Sequence, residues 1–196
     1  MSSVLYSIKS DSQNVSMNFE DIYREYGERV LNLAYRYTAN VETARDLTQD
    51  VFLKIYQNLE SFQNRSQIFT WIYRITTNHC LNYLKKDRKR RWLSLLDQKV
   101  SEVIKSADLA ESNQLVQHPL TPYEVLERSQ REMIIRKVIH SLPLKYRFPL
   151  ILQRYEGLNI QEIAETMSLT VPATETRIHR AKKLLIKKLQ PFLDQL

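Results

Sequence analysis

Residues 66–91, SQIFTWIYRITTNHCLNYLKKDRKRR, contain neither Gly nor Pro, and their apolar residues recur at helical spacing. Ser66 stands where a helix N-cap belongs, and the run ends in a basic cluster. On a wheel of 100° per residue, Phe69, Tyr73, Thr76, Cys80 and Leu84 share one face, which reads as core. Trp71, Asn78, Asn82, Lys85 and Lys89 share another, about a third of a turn or more away. An indole, two amides and two ammonium groups in a row suit nucleic acid. Amides read base edges, an aromatic plate stacks on bases, and cations meet phosphates. The competing reading is an ordinary helix whose cationic last turn complements its dipole. This stretch alone does not decide between the two.

Composition extends the helical reading to the rest of the chain. Only two Gly against six Pro, with 43% hydrophobic residues, leave little provision for tight turns. The expected fold class is all-α. The net charge of +7 is unevenly spread. Residues 19–91 carry 13 basic and 9 acidic groups, and residues 123–196 carry 13 and 8. Residues 92–122 carry 2 basic against 4 acidic. Two basic blocks around an acidic spacer indicate two modules that both meet a polyanion.

Several function classes drop out. Cys80 is the only cysteine, which excludes a disulfide framework and a cysteine-based zinc site, and its place on the apolar face makes it a buried thiol. His79, His118, His140 and His179 are scattered without metal-ligand spacing. There is no phosphate-binding Gly loop and no grouping that resembles an active site, so no cofactor and no enzyme activity are expected. Without a signal peptide or a bilayer-spanning apolar run, the expected compartment is the cytoplasm, with no membrane insertion.

Residues 1–18 read as a loose leader ending in Asn18, a helix cap. Phe19, Ile22, Tyr23, Tyr26, Val30, Leu33, Ala34 and Tyr37 then repeat at helical spacing. A second helix runs from about Asn40 to Leu59, with Val51, Phe52, Ile55 and Leu59 inward and Asp46, Gln49 and Asp50 on its polar side. With the 66–91 helix these make a three-helix module over 19–91, which is marginal in isolation. Residues 92–120 are too long for an ordinary connection and read as a flexible linker, with a weak helix at 94–109.

The second module, 121–196, opens on Thr121-Pro122-Tyr123-Glu124, an N-cap, first-turn proline and capping-box glutamate. That helix reaches about His140. Pro149 predicts that the next helix proper begins near Phe148, ending at Gly157. Asn159-Ile160-Gln161-Glu162 is a second capping box, opening a short helix to Met167. After the turn Ser168-Leu169-Thr170, a last helix runs from about Pro172 to Leu189. Thr174, Ile178, Ala181 and Leu185 form its apolar stripe; Thr176, His179, Arg180, Lys183 and Lys187 lie opposite. A short capped helix, a three-residue turn and a basic outer helix make a helix-turn-helix unit. An antiparallel pair with a solvated basic face is the alternative.

The phrases DLTQDVFLKIY, FTWIYRITTNHCLNYLKK, LPLKYRFPLILQRYEGLNIQEIAETM and TETRIHRAKKLL, in that order, resemble the two conserved regions of a bacterial RNA polymerase sigma factor. The resemblance is to the short extracytoplasmic-function (ECF) branch, which keeps only domains two and four. It implies two small helical domains joined by a linker, and partners that comprise the β and β′ subunits of core polymerase, promoter DNA in duplex and single-stranded form, and an anti-sigma factor. By resemblance, Asp46, Gln49, Asp50 and Phe52 dock on the β′ clamp helices. Asn64, Arg65 and Ser66 match the loop that receives a base flipped from the −10 element, and Trp71, Asn78, Asn82, Lys85 and Lys89 lie on the helix engaging that element. Arg177, His179, Arg180 and Lys182 match the −35 recognition residues, to which the wheel adds the outward Thr176 and Lys183.

The recognition helix departs from the family's usual Gly-Thr-Val-Lys-Ser-Arg opening, reading Pro172-Ala173-Thr174-Glu175-Thr176-Arg177. Glu175 places an anion where the family presents a cation, a change that either reads a cytosine amino group or repels phosphate. The expected mechanism is binding rather than bond-making. Stacking contributes about 1–3 kcal/mol per base, while opening duplex costs about 1.4 kcal/mol per step, so melting requires core polymerase. A stand-alone helix-turn-helix regulator would explain residues 141–188 equally well. It gives no role to the Asp46–Phe52 surface or the Trp71–Lys89 face.

Overall fold

The computed structural model describes residues 18–60, 62, 67–102 and 125–195. The leader at 1–17, the 64–66 loop with its Ser66 cap, and the start signal at 121–124 lie outside these. Among the described residues there are seven α-helices and a terminal 3₁₀ turn, with no strand.

The first module contains α1 (Phe19–Thr38), α2 (Val41–Asn58) and α3 (Ile68–Glu102). Local chemistry sets the starts of the first two. The Asn18 side chain accepts from the Asp21 N–H at 2.9 Å and that of Asn40 from the Thr43 N–H at 2.8 Å, each satisfying a donor that has no partner within the helix. Between them, Ala39 takes a left-handed conformation (φ 58°) and its N–H reaches the Tyr35 carbonyl at 2.8 Å, closing α1. Ile22, Val30, Leu33, Val51, Ile55, Ile72 and Cys80 are fully buried among the three helices. Burial pushes the Cys80 thiol up to about 12, making it an inert core group.

Two boundaries differ from expectation. Helix α3 continues to Glu102, well into the segment read as linker. The charge balance changes at Trp92, but the residues to Glu102 include no Gly or Pro and are mostly good helix formers, so nothing breaks the helix there. In the second module, α4 (Val125–His140) leads to α5, which starts at Leu144 rather than near Phe148 and carries Pro149 in its second turn. The Tyr146 and Arg147 N–H groups both donate to the Pro143 carbonyl at 2.9 Å, so the turn is made before the proline is reached. Pro149 removes one backbone donor, and burial of Phe148, Leu150, Ile151 and Leu152 outweighs that loss.

The helix-turn-helix follows as α6 (Ile160–Met167) and α7 (Val171–Leu189). Both arms of the Asn159–Glu162 capping box are formed, at 2.9 and 2.8 Å. Ser168 enters the left-handed region (φ 53°), and the Leu169 N–H returns to the Ala164 carbonyl at 2.8 Å. Thr174, Ile178 and Ala181 of the apolar stripe are buried under α7, and Leu185 is half-buried.

The modules do not stand apart. Helix α6 packs on α3 and α5 on α1, giving one continuous buried cluster. At the seam Tyr37 stacks on Phe148 with ring centroids 3.8 Å apart and planes within 6°, both rings fully buried. Tyr73 donates to Glu156 at 2.9 Å, and Arg74 pairs with Glu165 at 3.4 Å.

Candidate nucleic-acid and polymerase interfaces

Helix α3 separates two chemistries by rotation alone. Its inner side buries Ile72, Tyr73, Thr76, Thr77 and Cys80. Its outer side carries Asn78, Asn82, Lys85 and Lys89, all exposed, in one row. Trp71 sits half-buried at the head of that row, its indole tilted against Phe62 at 4.9 Å. The row selected by helical periodicity is therefore an open surface, with one ring held rigidly at one end. Asn64, Arg65 and Ser66, assigned to the same element by resemblance, lie outside the described residues.

The expected polymerase face is on α2. Asp46, Gln49 and Asp50 are exposed there. Phe52 is not: it is 4% exposed and edge-on to Tyr23 at 4.8 Å and Phe19 at 6.2 Å. It sits three residues from Gln49, on the side of α2 turned to α1, so in this structure its ring lies beneath the exposed face and not on it. Leu53 and Tyr56, more than half exposed, supply apolar area beside the carboxylates.

Sequence reasoning missed a residue that fixes one of those carboxylates. The Lys54 ammonium lies 2.8 Å from His79 Nδ1, and His79 Nε2 lies 3.0 Å from Asp50 Oδ2. An ammonium only donates, so Nδ1 accepts, and Nε2 carries the proton it gives to Asp50. The α3 imidazole thus ties together two α2 side chains one helical turn apart. No local signal announces it, because both partners are more than twenty positions away.

On α7, Glu175, Thr176, His179, Arg180, Lys182 and Lys183 are exposed and Arg177 is half-buried. The Thr176 hydroxyl donates to the Pro172 carbonyl at 2.8 Å, one turn back along its own helix. The Arg180 guanidinium, acting on the Tyr146 hydroxyl of α5, pulls that phenol below its ordinary range. Four cations, an imidazole, a hydroxyl and a carboxylate thus line the side of a helix whose other side is core. That is the arrangement for entering a major groove.

Comparison with known proteins decides what the two modules are. The family model for Sigma-70 region 2 matches residues 22–90, and that for Sigma-70 region 4 matches residues 132–185. The chain is 30% identical to the ECF RNA polymerase sigma factor SigW of Bacillus subtilis over 93% of both chains. The chain belongs to the ECF RNA polymerase sigma factors. It is also 32% identical to the ECF sigma-E factor of Haemophilus influenzae, over 89% of each chain. Two solved structures share its fold: the sigma factor RpoE bound to the anti-sigma factor NepR from Bartonella quintana, with TM-score 0.63 at 20% identity over 88% of this chain and 96% of that one, and CnrH bound to the cytosolic domain of CnrY, with TM-score 0.58 at 20% identity over 88% of each.

As an ECF sigma factor the protein directs core RNA polymerase to specific promoters and assists their opening. Sigma factors are not enzymes. The stand-alone regulator is not favoured, since the first module is itself a sigma region. Among the described residues no helix is long and apolar enough to cross a membrane.

Proposed function

We propose a division of labour between three faces. Asp46, Gln49 and Asp50 on α2 dock on the polymerase β′ clamp, with Leu53 and Tyr56 as apolar neighbours. The α3 row from Trp71 to Lys89 engages the −10 element, and the outer face of α7 reads the −35 element in duplex form, seated on a polymerase whose β subunit lies nearby. The observation that supports this best is the open row on α3, whose amides and ammonium groups are exposed while the opposite side of the same helix is core.

The packed arrangement of the modules is not the one that can occupy a promoter. Elements centred about 25 base pairs apart, at 3.4 Å per pair, are separated by roughly 85 Å. A compact body of this chain length has a radius of gyration of about 16 Å, so α5 and α6 must leave α1 and α3 before both elements are held. An anti-sigma protein of the kind bound to RpoE would act on this protein by holding the modules away from polymerase. All of this takes place in the cytoplasm.

Run-off transcription on a genomic fragment library, with purified core polymerase and with or without the protein, tests the assignment. New discrete start sites are expected, and Asp50→Arg is expected to remove them while the thermal midpoint stays unchanged. Start sites that survive Asp50→Arg would remove α2 as the docking face.

A further inference from the structure

A small cavity lies at the seam, between α1 of the first module and α4 and α5 of the second. Its volume is about 30 Å³, and its lining includes Tyr35, Arg36, Arg136, His140 and Tyr155. Two arginine–tyrosine pairs border it. The Arg36 guanidinium lies over the Tyr155 ring at 4.0 Å, and that of Arg136 over Tyr35 at 5.6 Å while also donating to the Tyr35 hydroxyl at 3.1 Å. Stacking occupies the face of a guanidinium and leaves its N–H edge free to donate. The Arg36 Nε–H is buried and has no acceptor.

A third guanidinium stands behind His140. Arg147 is 7% exposed, and it donates to the His140 carbonyl at 3.0 Å and to His140 Nδ1 at 3.2 Å, both neutral acceptors. Its Nε–H is also buried without a partner, and burial pushes the group down to about 10. No carboxylate lines the cavity. Two acids at the seam, Glu156 and Glu165, are held by Tyr73 and Arg74. Buried cations ordinarily have counter-ions, and here Arg36 and Arg147, one from each module, have buried N–H groups without one, with the exposed Arg136 at the cavity's edge.

We propose that this cavity is a site for a compact oxyanion of the phosphate class, which joins the two modules. Its size is about that of two or three water-sized spheres, which suits a tetrahedral anion and excludes a nucleotide or a DNA strand. The N–H edge of Arg36 and the Arg136 N–H groups not given to Tyr35 supply donors for its oxygens. Because Arg36 belongs to one module and Arg136 to the other, the bound anion favours the packed arrangement and opposes separation.

The test is titration of the full chain with inorganic phosphate at constant ionic strength, followed by ³¹P NMR, with dyes on the two modules reporting their distance. Saturable binding is expected, at least tenfold weaker in Arg136→Gln and in Arg36→Gln, with phosphate shifting the dyes toward the packed distance only in the unaltered protein. Arg136 is exposed, so its substitution leaves the fold intact, and Arg36→Lys separates loss of the fork from loss of charge. Binding unchanged by Arg136→Gln would place the anion on the open DNA faces and overturn the proposal, as would no saturation at tens of millimolar. Adenosine monophosphate binding as tightly as phosphate would overturn the size argument, and phosphate binding without a change in dye distance would overturn the bridging role. None of these readouts uses polymerase or promoter DNA, so they stand or fall apart from the three-face assignment.

Discussion

The cations of this sigma factor fall into two populations. Those on the outer faces of α3 and α7, such as Lys85, Lys89, Arg180 and Lys183, stand in water. Those at the seam, Arg36 and Arg147 above all, have buried N–H groups and neutral neighbours. An exposed cation costs the fold almost nothing and is free to meet a phosphate. A buried one without a counter-ion costs several kcal/mol and lasts only while surrounding packing overrides it. The first population is therefore built for a partner that arrives from solvent. The second marks a contact that packing holds together and charge works to part.

The largest test of that contrast removes the packing. Phe148→Ala deletes a fully buried ring stacked on Tyr37 and is expected to destabilise the chain by about 3–5 kcal/mol in urea unfolding. A loss below about 1 kcal/mol would mean that the seam is held by something other than this ring pair.

Acid acts on the same seam. His140 is pushed down to about 4, first by burial and then by the charges of Arg147 and Arg136, so it is neutral in the native chain. In the unfolded chain it titrates near 6.5. The neutral form therefore adds stability above pH 6.5 that is lost as pH falls toward 4. Between pH 7 and pH 5.5 the expected loss is about 1 kcal/mol. Denaturation at the two pH values should show it, and His140→Gln should respond less steeply by that amount.

The open population predicts smaller effects of a different kind. Arg180→Ala should change stability by less than about 0.5 kcal/mol. The slope of log K against log salt for duplex binding should fall by about 0.9 if Arg180 meets one phosphate. A base contact would leave that slope unchanged and relax sequence preference instead. The smallest effect concerns His79, which holds Asp50 on α2. His79→Leu should weaken core-polymerase binding about twofold to fivefold, the range of an exposed charged contact, and His79→Gln, which still carries a donor, should restore most of it.

Features governed by neighbours in sequence were legible before any coordinates. The Asn18 cap, the start of α2 near Asn40, the Asn159–Glu162 box and the exposed rows of α3 and α7 all follow from residues within a turn or two of one another. What was not legible depended on distant partners. The Tyr37–Phe148 stack joins residues on α1 and α5, and each ring read alone is simply one more apolar residue on its own helix. The Lys54–His79–Asp50 chain is hidden in the same way. Phe52 was drawn to the surface by resemblance, although its place in the inward set Val51, Phe52, Ile55 already pointed to the core. The end of α3 was misplaced because a change in charge was read as a change in conformation. Pro149 was weighted as a helix breaker, although one lost hydrogen bond is a small term beside the apolar area buried around it.

The turn at Ser168 has a consequence for how such a protein changes over generations. The direction of α7 is set by the left-handed Ser168, the Leu169 return bond and the buried trio Thr174, Ile178 and Ala181. None of these residues is on the exposed face proposed to meet DNA. Glu175, Thr176, His179, Arg180, Lys182 and Lys183 can therefore vary while the scaffold beneath them stays intact. On the proposed assignment, a lineage, or a designer, retargets the set of genes this protein switches on by rewriting a few solvent-facing positions, with no need to relearn how to fold.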